Sequence, residues 1–337
     1  MIYPKFIEEK ALIGVTAPSN GITKKEKLYR LDSAIKKLSE QGFNIKETSN
    51  VRTSIKGKSS DSKTQAKELL ELFQDKDVTS IICASGGDFL LEILPYIDFN
   101  IIKKNPKWLQ GYSDPTSLLY IITTTLDIAT IYSNNFCAFG MNPWHKSLSD
   151  NLEILKGNLI KQTSFDKYEN TYQDYIIGDE PYLLTEPVYW KNLNNEEIIE
   201  VTGRIIGGCI DCLNDLFGTR FDNTINFIEK YKDDGIIWYF DNCELSNDQL
   251  IRTLWKFKNH GYFNHTKGII FGRSAKVSSY YDISLEDALK HSLNDLNIPI
   301  IIDTDIGHIA PRITIINGSI ATITSTKGKG SISFKLK

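Results

Sequence analysis

Hydrophobic and polar positions alternate in blocks through the first half of the chain. Residues 11–17 (ALIGVTA) form a continuous apolar run of strand length. Between 25 and 41, Leu28, Leu31, Ile35 and Leu38 recur at helical spacing until Gly42 stops them. Residues 43–45 read as a short strand. Residues 62–74 read as a helix with Ala66, Leu69, Leu70 and Phe73 on one side. Residues 78–84 (VTSIICA) form a third strand that runs into Ser85-Gly86-Gly87-Asp88. A short helix at 90–94, a strand at 108–112, a helix at 115–125 and a strand at 128–132 continue the rhythm. Strands alternating with helices predict a parallel sheet covered on both faces. Such sheets bind ligands beyond the carboxyl ends of their strands, where 16–20, 85–88 and 111–114 fall.

The rhythm breaks between about 165 and 190, a stretch rich in Tyr, Asp, Glu and Pro. The pattern therefore predicts an α/β domain over 1–165, a linker region over 166–190 and a β-rich domain over 191–337. Strands are expected in the last at 200–206, 235–240, 267–271, 298–302, 313–316 and 319–323. The clearest helix there spans 246–259, with Ser246 as N-cap and Leu250, Leu254 and Phe257 as its buried stripe.

Composition changes this picture little. The 337 residues are 41% hydrophobic and 24% charged with a net charge of −3, which gives no global pull toward nucleic acid or anionic membranes. The lysines at 56, 58, 63, 327 and 329 are interleaved with Gly, Ser and Asp and read as solvated loops. No apolar run approaches the ~20 residues of a spanning helix, and the N-terminal stretch lacks a basic segment followed by an apolar one. A cytoplasmic protein is expected. Five cysteines, an odd number, suit reduced and mostly buried thiols. Cys209 and Cys212 form a C-x-x-C, but no second pair at ligand spacing completes a zinc site, so core packing is the plainer reading.

Phosphate chemistry is poorly supported. Gly57-Lys58-Ser59 resembles the end of a phosphate-binding loop, yet the required earlier glycine falls on Arg52, and no G-x-G-x-x-G is present. The stretch 108–120 (WLQGYSDPTSLLY) is more informative. A strand delivers Ser113 to a sharp turn and Pro115 opens a helix, the arrangement of a nucleophile elbow. Capping of that helix by Ser113 or Asp114 is the competing reading. A nucleophilic serine needs a base and an orienting acid. His145, His260, His265 and His291 lie in polar or helical surroundings, whereas His308 follows a buried strand in a loop bounded by Gly307 and Pro311. Asp241 ends the apolar strand 235–240, where a carboxylate is costly unless paired.

Several stretches together resemble the LD-carboxypeptidase family of serine peptidases, which includes the microcin C immunity peptidases. They are 17–22 (APSNGI), 85–99 (SGGDFLLEILPYIDF), 105–119 (NPKWLQGYSDPTSLL), 203–219 (GRIIGGCIDCLNDLFGT), 238–246 (WYFDNCELS), 267–273 (KGIIFGR) and 303–323 (DTDIGHIAPRITIINGSIATI). They follow the family's order over nearly the whole chain. The resemblance implies a parallel-sheet, flavodoxin/Rossmann-like α/β domain carrying the nucleophile and a β-rich α/β domain carrying acid and base. Position by position it implies a catalytic triad of Ser113, Asp241 and His308, with Gly87, Gly86 and the amide of Asp114 at the oxyanion. The family's acid is a glutamate, so Asp241 is a departure, with Glu244 as the fallback.

The resemblance further implies acyl transfer on a small peptide substrate, without metal or organic cofactor, in a cytoplasmic homodimer of peptidoglycan recycling. The expected substrate is a murein tetrapeptide that loses its terminal D-amino acid. The alternatives are a microcin-type peptidyl- or aminoacyl-nucleotide amide, or a muropeptide bound without catalysis. Arg273 and Arg204 are the cations available for a substrate carboxylate, and Trp190 and Trp144 are the rings available for a base.

Overall fold

The computed structural model describes residues 1–171, 176–276 and 278–337. They fall into two compact units. The first comprises 1–160 with 173–182 and 314–317, and the second comprises 161–172, 183–313 and 318–337. The stretch expected as a linker, 166–190, thus contributes to both units, and 172–175 within it lie outside the described residues. Among the described residues no helix is long and apolar enough to cross a membrane.

The first unit is built on β1 (Leu12–Thr16), α1 (Lys25–Glu40), β2 (Asn44–Glu47), α2 (Ser62–Gln74), β3 (Val78–Cys83), α3 (Phe99–Lys104), β4 (Trp108–Gly111), α4 (Thr116–Leu126), β5 (Thr130–Tyr132) and α5 (Lys146–Leu155). Its sheet runs β5-β4-β3-β1-β2, all parallel, as the alternation predicts. Ile13, Val15, Ile81, Ile82, Leu109 and Ile131 form the sheet's buried middle. Helix α1 buries Arg30, Leu31, Ala34 and Leu38, a face rotated from the expected one. Arg30 can be buried there because its Nη1 donates to the carbonyls of Gly178 and Glu180. Ile315–Asn317, expected as a strand of the second domain, instead pairs antiparallel with β5 and closes this sheet.

The second unit holds an eight-stranded sheet. It is formed by β6 (Gln162–Thr163), β9 (Lys191–Asn192), β10 (Ile198–Cys209), β11 (Ile236–Asp241), β12 (Thr266–Gly272), β13 (Ile300–Thr304), β15 (Ile320–Thr326) and β16 (Lys329–Lys335), with Ile315–Asn317 counted as β14. β7 (Lys167–Tyr168) and β8 (Glu186–Pro187) pair separately. The order β10-β11-β12-β13 is parallel, and the flanking strands are antiparallel. β10 shows the switch in its residues. Positions 198–203 alternate exposed and buried where the strand pairs with β15, and 204–209 are wholly buried where it pairs with β11. Lys329 begins β16, where the lysine pattern suggested loop.

Helices α6 (Ile210–Leu216), α7 (Thr224–Lys230), α8 (Asn247–Asn259) and α9 (Leu285–Leu293) belong to this unit. Ser246 caps α8 in a capping box with Gln249. Phe257 of α8 joins Phe217, Trp238, Phe240 and Phe263 in an aromatic core, with Trp238 stacked on Phe240 at 5.5 Å.

Candidate active site

Each unit presents a chemically distinctive loop beyond the carboxyl ends of its parallel strands. In the first unit, β4 ends at Gly111 and α4 begins at Thr116. Ser113 occupies the corner with φ +69°, a left-handed backbone that costs a non-glycine residue about 1–2 kcal/mol. Its carbonyl accepts the Thr116 N–H at 2.8 Å, and Pro115 stands at the N-cap of α4. A strained corner between strand and helix is the arrangement expected of a nucleophile elbow.

Asp114, 5% exposed, fixes that corner from beneath. Its Oδ2 accepts hydrogen bonds from the Ser19 hydroxyl and from the Leu90 N–H, the latter at 2.9 Å. Burial raises its pKa, and the Ser19 hydrogen bond opposes the rise. Gly86 stands against the serine. A Cβ on Gly86 would lie 3.0 Å from Ser113 Cβ, 3.1 Å from its Oγ and 3.7 Å from the Asp114 nitrogen. The open space there borders both the hydroxyl and an amide. Gly87 follows in the same turn, backed by Ser19 and Asn20. Among the described residues no hydrogen bond engages the N–H of Gly87 or of Asp114.

In the second unit Cys209, Asp241, Gly272 and Thr304 end the four parallel strands. Asp241 is fully buried. Its Oδ2 lies 2.7 Å from His308 Nδ1, and its Oδ1 accepts the His308 backbone N–H at 3.2 Å. This double attachment needs glycine at 307. That residue has φ +96°, and a Cβ there would fall 2.0 Å from Asp241 Oδ1. Arg312 ties the loop from the other side, its Nε donating to the Gly307 carbonyl at 2.6 Å. Burial disfavours the His308 imidazolium. The Asp241 charge and hydrogen bond, aided by a hydrogen bond with the Cys243 side chain, outweigh it and hold the pKa well above the usual histidine range. Glu244, the fallback acid, points elsewhere and pairs with Lys276 at 2.7 Å on the surface.

The other expected residues divide. Arg273 follows β12, is 6% exposed, and lies over the Tyr168 ring at 4.1 Å. Its Nη2 donates to Asp305 Oδ1 at 2.8 Å, while its Nη1 is buried without a hydrogen-bond partner among the described residues. Asp305, which sequence reasoning passed over, is held in turn by the Trp190 indole N–H at 2.9 Å and the Phe165 amide at 3.1 Å. Trp190 is therefore a buried support for Asp305, with no free face for a base. Trp144 likewise packs on Phe139 and donates to that residue's carbonyl at 2.7 Å. Arg204 sits at the opposite ends of the parallel strands, opposite Ile236 in register. It pairs with Asp234 at 2.6 Å and stacks on Tyr231, so it clamps the fold and faces no site.

Residues 13–133 match the N-terminal domain of LD-carboxypeptidases, and residues 202–323 match their C-terminal domain. The chain belongs to the LD-carboxypeptidase family. It is a serine peptidase, and both matched segments contain the loops just described. A putative carboxypeptidase of Vibrio cholerae is 27% identical over 96% of this chain and 95% of its own length. A probable murein peptide carboxypeptidase of Bacillus subtilis is 25% identical over 96% and 92%. The crystal structure of an MccF-like protein from Bacillus anthracis superposes with a TM-score of 0.85 at 26% identity, covering 100% of both chains.

Proposed function

We propose that this LD-carboxypeptidase removes the terminal D-amino acid from murein tetrapeptides by acyl transfer, with Ser113 as nucleophile, His308 as general base and acid, and Asp241 as the orienting acid. The observation that carries the reading is the buried 2.7 Å bond from His308 Nδ1 to Asp241. It fixes the tautomer that leaves Nε2 to exchange a proton with the serine. His308 takes the Ser113 proton as the hydroxyl attacks the amide carbonyl. The N–H groups of Gly87 and Asp114 receive the oxyanion, where one such donor is typically worth ~2.7–4 kcal/mol. The imidazolium then protonates the leaving amine, and water releases the acyl-enzyme. The partnerless Nη1 of Arg273 supports that residue as the ligand of the substrate's free carboxylate. The murein assignment draws on the B. subtilis relative.

The likeness to MccF-like and microcin C7 self-immunity proteins supports a second reading, cleavage of a microcin-type peptidyl- or aminoacyl-nucleotide amide. A fluorophosphonate probe and two substrates test both. Labelling of the wild type but not of Ser113→Ala, with D-alanine release from tetrapeptide, is the expected result. Turnover of the nucleotide conjugate alone would replace the murein reading. Equal labelling of both proteins would end the assignment of Ser113.

A further inference from the structure

The mechanism above uses no thiol, yet Cys209 and Cys243 lie against its acid and base. Cys209 and Asp241 are register partners on β10 and β11, so their side chains leave the sheet side by side. The glycine-bent loop after β13 then lays His308 over them. A Cys209 sulfur, an Asp241 oxygen and a His308 nitrogen all lie within 4.8 Å of one another, and all three residues are buried. Thiolate, carboxylate and imidazole are the ligand set of a thiophilic divalent cation. We propose that this cluster is an inhibitory binding site for a zinc-like divalent cation, which enters where the Nδ1 proton now joins His308 to Asp241.

The geometry asks for small adjustments only. Bonds of about 2.0–2.3 Å to a tetrahedral ion set its ligands roughly 3.3–3.6 Å apart. Asp241 and His308 must part from 2.7 Å, and Cys209 must close from at most 4.8 Å. The Cys209 thiol at present lies 3.2 Å from Asp211 Oδ2. Its hydrogen bond with Cys212, its burial and the nearby carboxylates of Asp241 and Asp211 all keep it protonated, and those same carboxylates attract a cation. Binding releases one proton from the thiol and one from the imidazolium. A cation of charge +2 then faces thiolate, carboxylate and neutral imidazole, so the buried charge stays balanced. Bound through Nδ1, His308 keeps its proton on Nε2 and has no lone pair with which to take the serine proton. Peptidase activity should therefore stop while the fold is retained. The inhibition, unlike the site, rests on the assignment of His308 as base.

Cobalt(II) separates the two questions, because a thiolate–cobalt bond has a near-ultraviolet charge-transfer band that needs no turnover. The wild-type chain titrated with cobalt chloride should show this band together with the strong visible absorption of tetrahedral cobalt. Cys209→Ser should lose the band, and Cys212→Ser and Cys243→Ser should keep it. Zinc should block both fluorophosphonate labelling and hydrolysis, and a chelator should restore them. In Cys209→Ser, measured against its own metal-free rate, the inhibitory concentration should rise by more than the roughly 10- to 100-fold typical of losing a supporting residue. Thermal melts check that each variant is folded, and His308→Ala provides a second ligand deletion should Cys209→Ser not fold. Absence of the band in the wild type, or its persistence in folded Cys209→Ser, overturns the site; where Cys209→Ser does not fold, persistence in His308→Ala does so. A band with undiminished activity overturns the inhibitory role and the assignment of His308 as base, while leaving the site in place.

Discussion

Replacing Asp241 by Asn tests the core of the mechanism with the smallest change of shape. The carboxylate accepts twice from one residue, at 2.7 Å from His308 Nδ1 and at 3.2 Å from the His308 backbone N–H. An amide cannot accept at both positions. With its oxygen toward the ring, its NH2 opposes the backbone N–H. With its oxygen toward the backbone, the ring must surrender the Nδ1 proton and carry it on Nε2. The first orientation leaves buried donors facing each other, at a cost of about 1–3 kcal/mol. The second costs catalysis, because a proton on Nε2 removes the base. The reaction should therefore slow by roughly 10⁴, equivalent to about 5 kcal/mol in the barrier. The pH profile should move as well. In the wild type, burial lowers the His308 pKa but the Asp241 charge raises it further, so the imidazole sheds its proton only at a pH well above its usual value. Labelling by a fluorophosphonate should thus climb with pH on the alkaline side of about 6.5. In the Asn variant the raising charge is gone, and whatever limb remains should lie at lower pH. Second-order labelling rates measured across pH, with circular dichroism to verify folding, provide the assay. A variant that keeps more than a tenth of the wild-type rate, or an unmoved limb, refutes the role given to Asp241.

Four further outcomes follow from the same geometry. Ser113→Gly should abolish labelling yet stabilise the protein by up to about 1 kcal/mol in denaturant melts, because glycine relieves the φ of +69° at some entropic cost. Gly86→Ala sets a methyl 3.1 Å from Ser113 Oγ and should lower kcat/KM by roughly 10² with little change in stability, as read by steady-state kinetics. Arg273→Lys keeps a cation for Asp305 but loses the spare Nη1 donor. It should raise KM for peptides with a free carboxylate by roughly tenfold or more at unchanged kcat, and leave KM for the amidated peptides alone. Gly307→Ala drives a methyl to 2.0 Å from Asp241 Oδ1 and should move the pH limb downward as Asp241→Asn does.

Much of the fold was legible because local pattern and tertiary role coincide. α2 matches its apolar periodicity, and α8 begins at the N-cap that Ser246 suggests. Legibility failed where tertiary partners decide. The run at 313–316 is apolar enough for a strand, but nothing in it says that Ile315–Asn317 will pair with β5, far earlier in the chain. α1 turns its face by burying an arginine, which only the distant carbonyls of Gly178 and Glu180 make tolerable. Asp305 went unnoticed for a similar reason. Its role as the clamp of Arg273 depends on Trp190 and Phe165 arriving from elsewhere.

The family resemblance implies a glutamate where this chain has Asp241, and the surroundings of that aspartate suit the shorter acid. An acid one methylene shorter reaches the imidazole only if the histidine loop comes closer to the strand. Here the loop lies against the strand end, to the point where the Cβ of any other residue at 307 would overlap the carboxylate. Arg312 holds the approach by taking the Gly307 carbonyl. The sequence carries both halves of this arrangement, Asp241 at a strand end and Gly307 before the histidine, but 66 positions separate them. Only the register of β11, β12 and β13 turns that separation into contact. The register of β10 and β11 sets Cys209 beside Asp241, and the same close loop brings His308 within reach of both. A change that opens the 307 loop should therefore weaken both the proposed base and the proposed metal site.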